Sequence, residues 1–197
     1  MIKKLATVLF LVFLATSCKN KPVEEVKIPE KPASGHTPPV YRPMFTSGNQ
    51  DDAAKNLIVR YNELLVFGYE NLNMNPIAEV ATEGQAEKAY FHMSAIGEGG
   101  VRMLSRVNTI SFRQINYPSP EKVKVSTDED WNFAYTDIKT GRKTEEQKNF
   151  IYHVNYSIEK QKDGRWLITD ISATSDEPEK PMKKPRSIHG DKFDMKK

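Results

Sequence analysis

The most regular pattern in this sequence is an alternation of apolar and polar residues in its C-terminal half. Large apolar side chains occupy every second position of one run: Phe150, Tyr152, Val154, Tyr156 and Ile158. Successive side chains of a β-strand point to opposite faces of a sheet, so this period of two predicts a strand. A polar break that contains Gly164 follows, and Trp166 begins a second alternating run. The stretch 148–173 is therefore predicted to form an antiparallel hairpin.

Upstream of this hairpin, apolar residues recur at intervals of three and four, which predicts amphipathic helices. The first helix is predicted to begin at Asp51 and Asp52 and to end before Pro76. The carboxylates of these aspartates can accept hydrogen bonds from the free backbone N–H groups of the first turn. Its apolar stripe consists of Leu57, Tyr61, Leu64, Leu65, Gly68, Tyr69 and Leu72. Pro76 to Val80 then predicts a short second helix, with proline in its first turn.

A third helix is predicted after Thr82, because Gln85 stands three residues later in the spacing of a capping box. Its inner stripe consists of Ala86, Ala89, Tyr90, Met93 and Ile96. The glycines at 97, 99 and 100 interrupt or end this helix. No strand precedes them and no Lys-Ser/Thr pair follows, so they do not predict a phosphate-binding loop.

Two further strands are predicted between the helices and the hairpin. Val107 to Tyr117 has a strand-like composition and is closed by prolines, and apolar residues of one parity run from Val123 to Tyr135. The acidic residues Asp128 to Asp130 interrupt the second run, which predicts a bulge or bend that curves the sheet. Helices followed by about four antiparallel strands predict an α+β fold, with the helices packed against one face of the sheet.

The last predicted hairpin resembles that of NTF2-like proteins. The residues that carry the resemblance, besides the aromatic alternation, are Asp163 and Gly164 in a charged turn, followed by Trp166, Ile168 and Asp170. The resemblance covers Asp51 to Thr174 and implies a cone of the SnoaL type, in which N-terminal helices close the mouth of a strongly curved antiparallel sheet. It concerns the fold, and a fold alone does not give a function.

The N-terminal end of the chain resembles the signal peptide and lipobox of bacterial lipoproteins. Lys3 and Lys4 precede an apolar run that is shorter than the about 20 residues of a membrane-spanning helix, and small residues then precede Cys18. The resemblance implies that Met1 to Ser17 is removed and that Cys18 carries acyl chains such as palmitate, although Ala15 stands where leucine is commonest. Cys18 is the only cysteine, so no intrachain disulfide forms. The alternative is an ordinary secretory peptide with a leftover thiol.

Composition divides the rest of the chain into three parts. Residues 18–50 contain six prolines among lysines and glutamates, which predicts a disordered tether behind the lipidated cysteine. Residues 51–175 are predicted to form the α+β domain, and residues 176–197 a disordered charged tail. Four residues of the tether either dock on the domain or a partner, or stay disordered: Val40, Tyr41, Met44 and Phe45.

The charge balance argues against nucleic acid as a partner. The full chain has a formal net charge of +3, but residues 51–175 contain fifteen basic and eighteen acidic residues, a net charge of −3. No basic stripe is left for a phosphate backbone. The predicted partners are a membrane, reached through the N-terminal acyl chains, an apolar small molecule or an envelope protein, and a second copy of the chain. Lys19 stands in place of the aspartate that commonly retains lipoproteins in the inner membrane, which favours the outer membrane.

The sequence offers one weak catalytic candidate, and neither a metal nor a cofactor is predicted. The four histidines form no metal-binding spacing, and a single cysteine gives no cysteine pair. His153 and Asp170 lie on neighbouring predicted strands, and such a pair in an enclosed pocket would act as a general base. The favoured interpretation is an exposed His153 on the outer face or in a cross-strand hydrogen bond.

Aromatic residues with polar groups are the candidates for a ligand-binding site: Tyr61, Tyr90, Trp131, Tyr135, Tyr152 and Tyr156. In an open cone they would line an apolar cavity, whereas in a closed one they fill the core, which is favoured for most of them. We therefore predict a lipid-anchored envelope protein whose domain binds a ligand or a protein without catalysis. Two alternatives are kept: a pocket enzyme that uses His153 and Asp170, and a structural protein that dimerises through its sheet.

Overall fold

The computed structural model describes residues 23–28 and 37–176 of the 197-residue chain. The predicted signal peptide, the predicted lipid attachment at Cys18 and all but the first residue of the predicted tail lie outside the described residues. The helices and strands, in chain order, are β1 (Glu24–Lys27), α1 (Gln50–Asn71), a 3₁₀ helix (Asn75–Glu79), α2 (Glu83–Glu98), β2 (Val101–Ser119), β3 (Lys122–Asp137), β4 (Lys143–Lys160) and β5 (Trp166–Ser175).

The five strands form one antiparallel sheet in the order β1-β2-β3-β4-β5. Both α-helices pack against the same face of this sheet. The core between them contains fully buried side chains from the helices, such as Ile58 and Leu64, and from the strands, such as Ile110 and Ile158. The predicted α+β class, with helices against one face of an antiparallel sheet, is confirmed, and the strand count is one higher than expected.

Strand β1 is the additional strand, and it lies within the segment that the sequence assigned to a disordered tether. Its register against β2 places Val26 opposite Ile110, and Val26 is buried. The carboxylate of Glu24 also forms an ion pair with Lys55 of α1. A four-residue strand with one buried residue has no alternating pattern of its own. Only the open edge of β2 explains why this segment is extended and paired.

The connection that leads into α1 packs onto that helix, which decides between docking and disorder for Phe45. The side-chain oxygen of Asn56 accepts hydrogen bonds from the backbone N–H groups of Met44 and Phe45, both at 2.9 Å, and its amide donates to the Phe45 carbonyl at 2.7 Å. The Phe45 ring meets Phe112 of β2 edge-on, with centroids 5.8 Å apart. Tyr41 remains half exposed. The predicted tether is therefore partly docked on the domain.

Helix α1 begins slightly earlier than predicted. Its N-cap is Asn49 rather than Asp51 or Asp52, and the Asn49 side chain accepts a hydrogen bond from the Asp52 backbone N–H at 2.7 Å. Near its other end, Gly68 permits a close approach of the following turn, because a Cβ atom there would overlap the Met74 sulfur. None of the helices within residues 23–28 and 37–176 is long and apolar enough to cross a membrane.

Strand β2 begins at Val101, earlier than the predicted Val107. The pairing of β3 with β2 contains three register shifts and its pairing with β4 two, and such irregularities bend a sheet. Gly100 adopts a positive φ of 75° and turns the chain from α2 directly into the sheet. The pairing with β3 shifts at Asn108 of β2, and again between Gln147 and Phe150 of β4. Across Asp128 to Asp130, β3 itself is paired without interruption on both sides. The predicted bend therefore arises in the neighbouring strands.

Candidate functional site

A cavity of about 430 Å³ lies between α1 and the inner face of the sheet. Its main wall is formed by inward-facing residues of β3 and β4: Trp131, Phe133, Tyr135, Phe150, Tyr152, Val154 and Tyr156. Helix α1 forms the opposite wall with Tyr61, Asn62, Leu65 and Tyr69. Alternation along the two strands directs these aromatic side chains to one face. The volume lies within the about 300–1,000 Å³ that is typical of small-molecule sites.

The aromatic side chains of this wall contact one another in defined geometries. Trp131 and Phe133 stack with centroids 5.7 Å apart and an interplanar angle of 5°. Phe133 meets Tyr152 edge-on at 6.1 Å, and Tyr152 meets Phe150 at 4.6 Å. Such pairs contribute about 0.5–1.5 kcal/mol each beyond the area they bury. The wall is therefore a mutually supported surface and not a set of independently mobile rings.

The inner end of the cavity contains a buried carboxyl group, that of Glu129 in β3, which is only 2% exposed. Its Oε1 atom accepts hydrogen bonds from the Tyr156 hydroxyl at 2.7 Å, the Thr127 hydroxyl at 3.0 Å and the Asn62 amide at 3.3 Å. Its Oε2 atom accepts from the indole N–H of Trp131 at 3.0 Å. Four donors, from α1, β3 and β4, thus converge on one carboxyl group.

Burial controls the protonation of the groups at this inner end. Removal from water raises the pKa of the Glu129 carboxyl above its usual value, although the four hydrogen bonds act in the opposite direction. Burial, together with the nearby Glu129, raises the pKa of the Tyr156 hydroxyl well above its usual value. Burial also raises the pKa of Tyr61. The uncharged forms of all three groups are therefore favoured relative to the same groups in water.

Polar residues from β4 and α2 lie at the rim of the cavity. Glu145 and Gln147 line it from the part of β4 that β5 does not cover, since β5 pairs with β4 only from Tyr152 onwards. From α2, the exposed His92 lines the cavity, and its Nδ1 atom is hydrogen-bonded to the Tyr69 hydroxyl. These two rings meet edge-on at 5.5 Å. The cavity thus has a polar rim, an aromatic wall and a polar inner end.

Five of the six aromatic residues predicted for a ligand site line this cavity: Tyr61, Trp131, Tyr135, Tyr152 and Tyr156. Tyr90 does not, because it is 50% exposed on the outer side of α2 and contacts Phe91. Ala89, Met93 and Ile96 are the buried positions of that helix. Tyr90 follows Ala89 by one residue, about 100° around the helix axis, so both cannot face inward. The assignment of Tyr90 to the inner stripe is corrected accordingly.

The predicted acid–base pair, His153 with Asp170, is not formed. The antiparallel register places His153 opposite Thr174, whereas Asp170 lies opposite Ser157, four residues further along β4. The His153 ring is instead hydrogen-bonded through Nδ1 to Asp128 at 2.7 Å. His153 therefore lies on the outer face in a cross-strand hydrogen bond, which was the favoured interpretation.

His153 and Asp170 each have further partners. The second ring nitrogen of His153 lies 3.0 Å from an oxygen of Asp176, and the Lys88 amine donates to Asp170 at 2.9 Å. The hydrogen bonds that the His153 ring forms to the carboxylates of Asp128 and then Asp176 raise its pKa above the usual value. Neither His153 nor Asp170 lines the cavity.

Sequence reasoning missed Glu129, Asn62 and His92 as residues of the site. For Glu129 a signal was present, because it shares the parity of Trp131 in β3 and therefore points to the same face. Asn62 follows Ile58 by four residues and so lies on the buried face of α1. No comparable signal exists for His92, which is exposed and lines the cavity only because of the way α2 packs.

Within residues 23–28 and 37–176, no group of three or more His, Cys, Asp or Glu side chains is placed to hold a metal ion. The polar groups of the cavity can form hydrogen bonds and electrostatic contacts with a ligand. Among the residues that the structure describes, Glu129 and Glu145 are the carboxyl groups of its lining, and His92 is the imidazole.

Comparison with known proteins identifies solved structures of similar fold but no family. No protein-family model and no curated protein matches the sequence. The intermembrane-space region of the chloroplast protein ARC6 aligns with a TM-score of 0.52 at 12% identity, over 62% of this chain and 95% of that one. At this identity the similarity shows the fold alone.

Two further solved structures align less closely. An NTF2-like protein involved in plasmid conjugation aligns with a TM-score of 0.35 at 14% identity, over 54% of this chain and 40% of that one. A ketosteroid isomerase-like protein from Erwinia carotovora atroseptica SCRI1043 aligns with a TM-score of 0.38 at 12% identity, over 62% and 95% of the two chains. The helices and the bent antiparallel sheet described above are the arrangement that the resemblance to NTF2-like proteins implied.

Proposed function

We propose that the domain is a binding module that holds a small, largely apolar molecule between α1 and the sheet without transforming it. The observation that carries the proposal is a cavity of about 430 Å³ with aromatic walls and a hydrogen-bonded carboxyl group at its inner end. Ligand sites combine an apolar wall with a few convergent polar groups in this way. If these aromatic side chains served only to fill the core, they would be expected to close the space, since protein interiors pack as densely as organic crystals.

The enzymatic alternative loses the two residues on which it rested. His153 and Asp170 each have an ionic partner on the outside of the domain, and neither lines the cavity. Within the cavity, Glu129 is surrounded by four hydrogen-bond donors of its own chain. That environment favours a fixed polar anchor over a base that must exchange protons with a substrate.

The structural alternative, dimerisation through the sheet, receives little support from the outer face. That face carries hydrogen-bonded polar pairs, such as Asn108 with Asp130 at 3.1 Å and Ser126 with Asn155 at 2.7 Å. The cores of homodimer interfaces are more apolar than the remaining surface. A dimer formed here would have to bury polar groups that already have partners, so the binding-module proposal is preferred.

The same proposal places the domain at a membrane, through acyl chains on Cys18, and at the outer membrane in preference to the inner. The support is the sequence around Cys18 and the presence of Lys19. Strand β1 adds a geometric consequence. Five residues separate Cys18 from Glu24, and an extended chain over these six steps reaches about 20 Å. An anchored domain would thus lie close to the bilayer and not at the end of a long tether.

The membrane anchor is tested with labelled palmitate in a bacterial host. The full-length protein is expected to incorporate the label and to sediment with outer membranes, whereas the Cys18→Ser variant incorporates none. If the full-length protein incorporated no label and had the same mature mass as the Cys18→Ser variant, apart from the substitution itself, the anchor would be overturned. Incorporation together with sedimentation in inner membranes would overturn only the preference for the outer membrane.

The binding site is tested with a pair of matched tryptophan substitutions. Ala173 lines the cavity and is exposed, and Ala53 is exposed in the first turn of α1 and does not line it. A panel of small aromatic compounds is screened by saturation-transfer NMR, and the affinities of those that bind are measured by calorimetry. Ala173→Trp is expected to weaken binding about tenfold or more. The larger side chain would occupy part of the cavity and leave less room for a ligand. Ala53→Trp is expected to bind as the unmodified protein does. Equal effects of the two variants, or no binding by any compound, would overturn the proposal.

A further inference from the structure

The ionisable side chains that line the cavity are mainly acidic. The lining contains two carboxyl groups, from Glu129 at the inner end and Glu145 at the rim, and the described residues contribute no lysine or arginine to it. His92 is the imidazole that the described residues contribute, and its Nδ1 atom is hydrogen-bonded to the Tyr69 hydroxyl. An anionic ligand would therefore meet carboxyl groups without a basic partner. A ligand with a positive charge would meet complementary groups at both ends of the cavity.

The hydrogen bonds of Glu129 favour the form of this group that a cation would bind. The Asn62 amide and the Trp131 indole are obligatory donors, so both contacts are made to an oxygen lone pair. Oε1 accepts three hydrogen bonds, whereas among the described residues only Trp131 donates to Oε2. Oε2 is thus the oxygen with remaining capacity to accept. The site is arranged around a carboxylate, although burial without a countercharge disfavours that form.

Aromatic rings surround the same end of the cavity. Tyr61 from α1 and Tyr156 from β4 meet edge-on, with centroids 6.3 Å apart, and the Trp131 side chain donates to Glu129 from β3. An ammonium group next to Glu129 would therefore be stabilised by a carboxylate in an aromatic environment with little water to screen the attraction.

We propose that the ligand of the cavity is an organic cation, a protonated amine on an apolar body, whose ammonium group binds Oε2 of Glu129. This inference rests on the proposed binding function and specifies the chemical class of its ligand. The apolar body occupies the aromatic wall of β3 and β4. The ammonium donates a hydrogen bond to Oε2 and provides the countercharge that the buried carboxylate lacks.

The inference is tested with three aromatic compounds of nearly equal size that differ in charge: phenethylamine, phenethyl alcohol and phenylacetate. Their affinities for the full-length protein are measured by calorimetry at pH 8. The amine is expected to bind about tenfold or more tightly than the alcohol, and the alcohol more tightly than the anion. Binding of all three with equal affinity, or preference for the alcohol or the anion, would overturn the cation and leave the binding function intact. Absence of binding by all three, together with a failed wider panel, would overturn the binding function itself.

A second readout assigns the preference to Glu129. The titratable groups around this carboxyl are Tyr156 and Tyr61, and His92 and Glu145 lie further out in the cavity. Binding of the amine should release a proton from Glu129, so its affinity should rise with pH, whereas that of the alcohol should not. The Glu129→Gln variant is expected to lose the tenfold preference while still binding the alcohol. A preference that persists in this variant, or a pH profile that is the same for both compounds, would overturn the assignment. Because the comparison of the three compounds needs no variant, it stands even if Glu129→Gln folds poorly.

Discussion

The two faces of β3 carry adjacent carboxyl groups in opposite environments. Asp128 lies on the outer face, where His153 and Arg113 are hydrogen-bonded to it. Although partial burial by itself raises the pKa of Asp128, these hydrogen bonds and charges lower it below its usual value. Glu129, the next residue, is buried in the cavity, where burial raises its pKa. One step along a strand thus separates a stable carboxylate from a carboxyl group that resists ionisation.

This difference follows from the alternation of a β-strand and from what packs on each face. The outer face is open to water and to long charged side chains from β2 and β4, which supply opposite charges. The inner face is covered by α1, which supplies the neutral Asn62 and Tyr61. Neutral donors satisfy a carboxyl group but do not compensate for its charge. The chemistry of each group is therefore set by its face of the sheet and not by its residue type.

The largest expected effect comes from removing each carboxyl in turn. In Glu129→Ala, the Trp131 indole N–H and the Tyr156 hydroxyl lose their buried acceptor. The Asn62 amide keeps only its hydrogen bond to the Tyr156 hydroxyl, at 3.2 Å. We expect the free energy of unfolding to fall by about 3 kcal/mol or more, because buried donors without partners are costly. In Asp128→Ala the loss should stay below about 1 kcal/mol, as for other exposed ion pairs. Urea denaturation measures both variants, and equal losses would contradict the comparison.

A smaller effect is expected in the pH dependence of stability, with opposite signs on the two faces. The folded-state pKa of Glu129 is raised, so the native protein loses stability as the pH rises above the usual value of 4.5 towards the folded-state pKa. Each pH unit between the two pKa values corresponds to about 1.4 kcal/mol. Glu129→Gln lacks this loss. The free energy of unfolding of the variant should therefore increase relative to that of the unmodified protein as the pH rises. Urea denaturation across this pH range measures the difference, and a constant difference would contradict a raised pKa.

Asp128→Asn is the matched variant for the outer face. Because the folded-state pKa of Asp128 is lowered, its stabilising contribution is present above the usual value of 3.8 and is lost as the pH falls through the folded-state pKa. The free energy of unfolding of the unmodified protein should therefore increase relative to that of Asp128→Asn as the pH rises. For Glu129→Gln the same difference changes with pH in the opposite direction. Slopes of the same sign in the two variants would remove the distinction between the faces.

The smallest expected effect is a change in the titration of His153, which NMR measures directly. The hydrogen bond to Asp128 is the main cause of its raised pKa, so Asp128→Asn should move the pKa of His153 back towards 6.5. Asp170→Asn should leave it unchanged, since Asp170 is paired with Lys88. A change caused by Asp170→Asn would revive the predicted pair of His153 with Asp170.

Local sequence patterns predicted most of the fold because they report on elements that are regular over many residues. The run from Phe150 to Ile158 predicts β4 by its period of two, and the stripe that includes Tyr61 and Leu64 predicts α1. Strand β1 could not be predicted in this way. Its four residues contain one buried side chain, Val26, and it exists because β2 offers an unpaired edge.

The candidate site was predictable in its composition but not in its arrangement. The parity of β3 and β4 places Trp131, Tyr152 and Tyr156 on one face, so their presence in one cavity follows from the sequence. The pairing of His153 depended on register. A shift of a few residues between β4 and β5 decides whether Asp170 or Thr174 lies opposite it, and no residue pattern specifies that shift.

The sequence alone determined which residues alternate, and hence that Asp128 and Glu129 point to opposite faces of β3. It did not determine which face is covered. That was decided by α1, which packs on the side of Glu129 and brings Asn62 within 3.3 Å of its carboxyl group. Alternation is a property of the local backbone, whereas burial and its effect on pKa depend on contacts between residues far apart in the chain. The chemistry of the cavity is therefore a product of the tertiary structure.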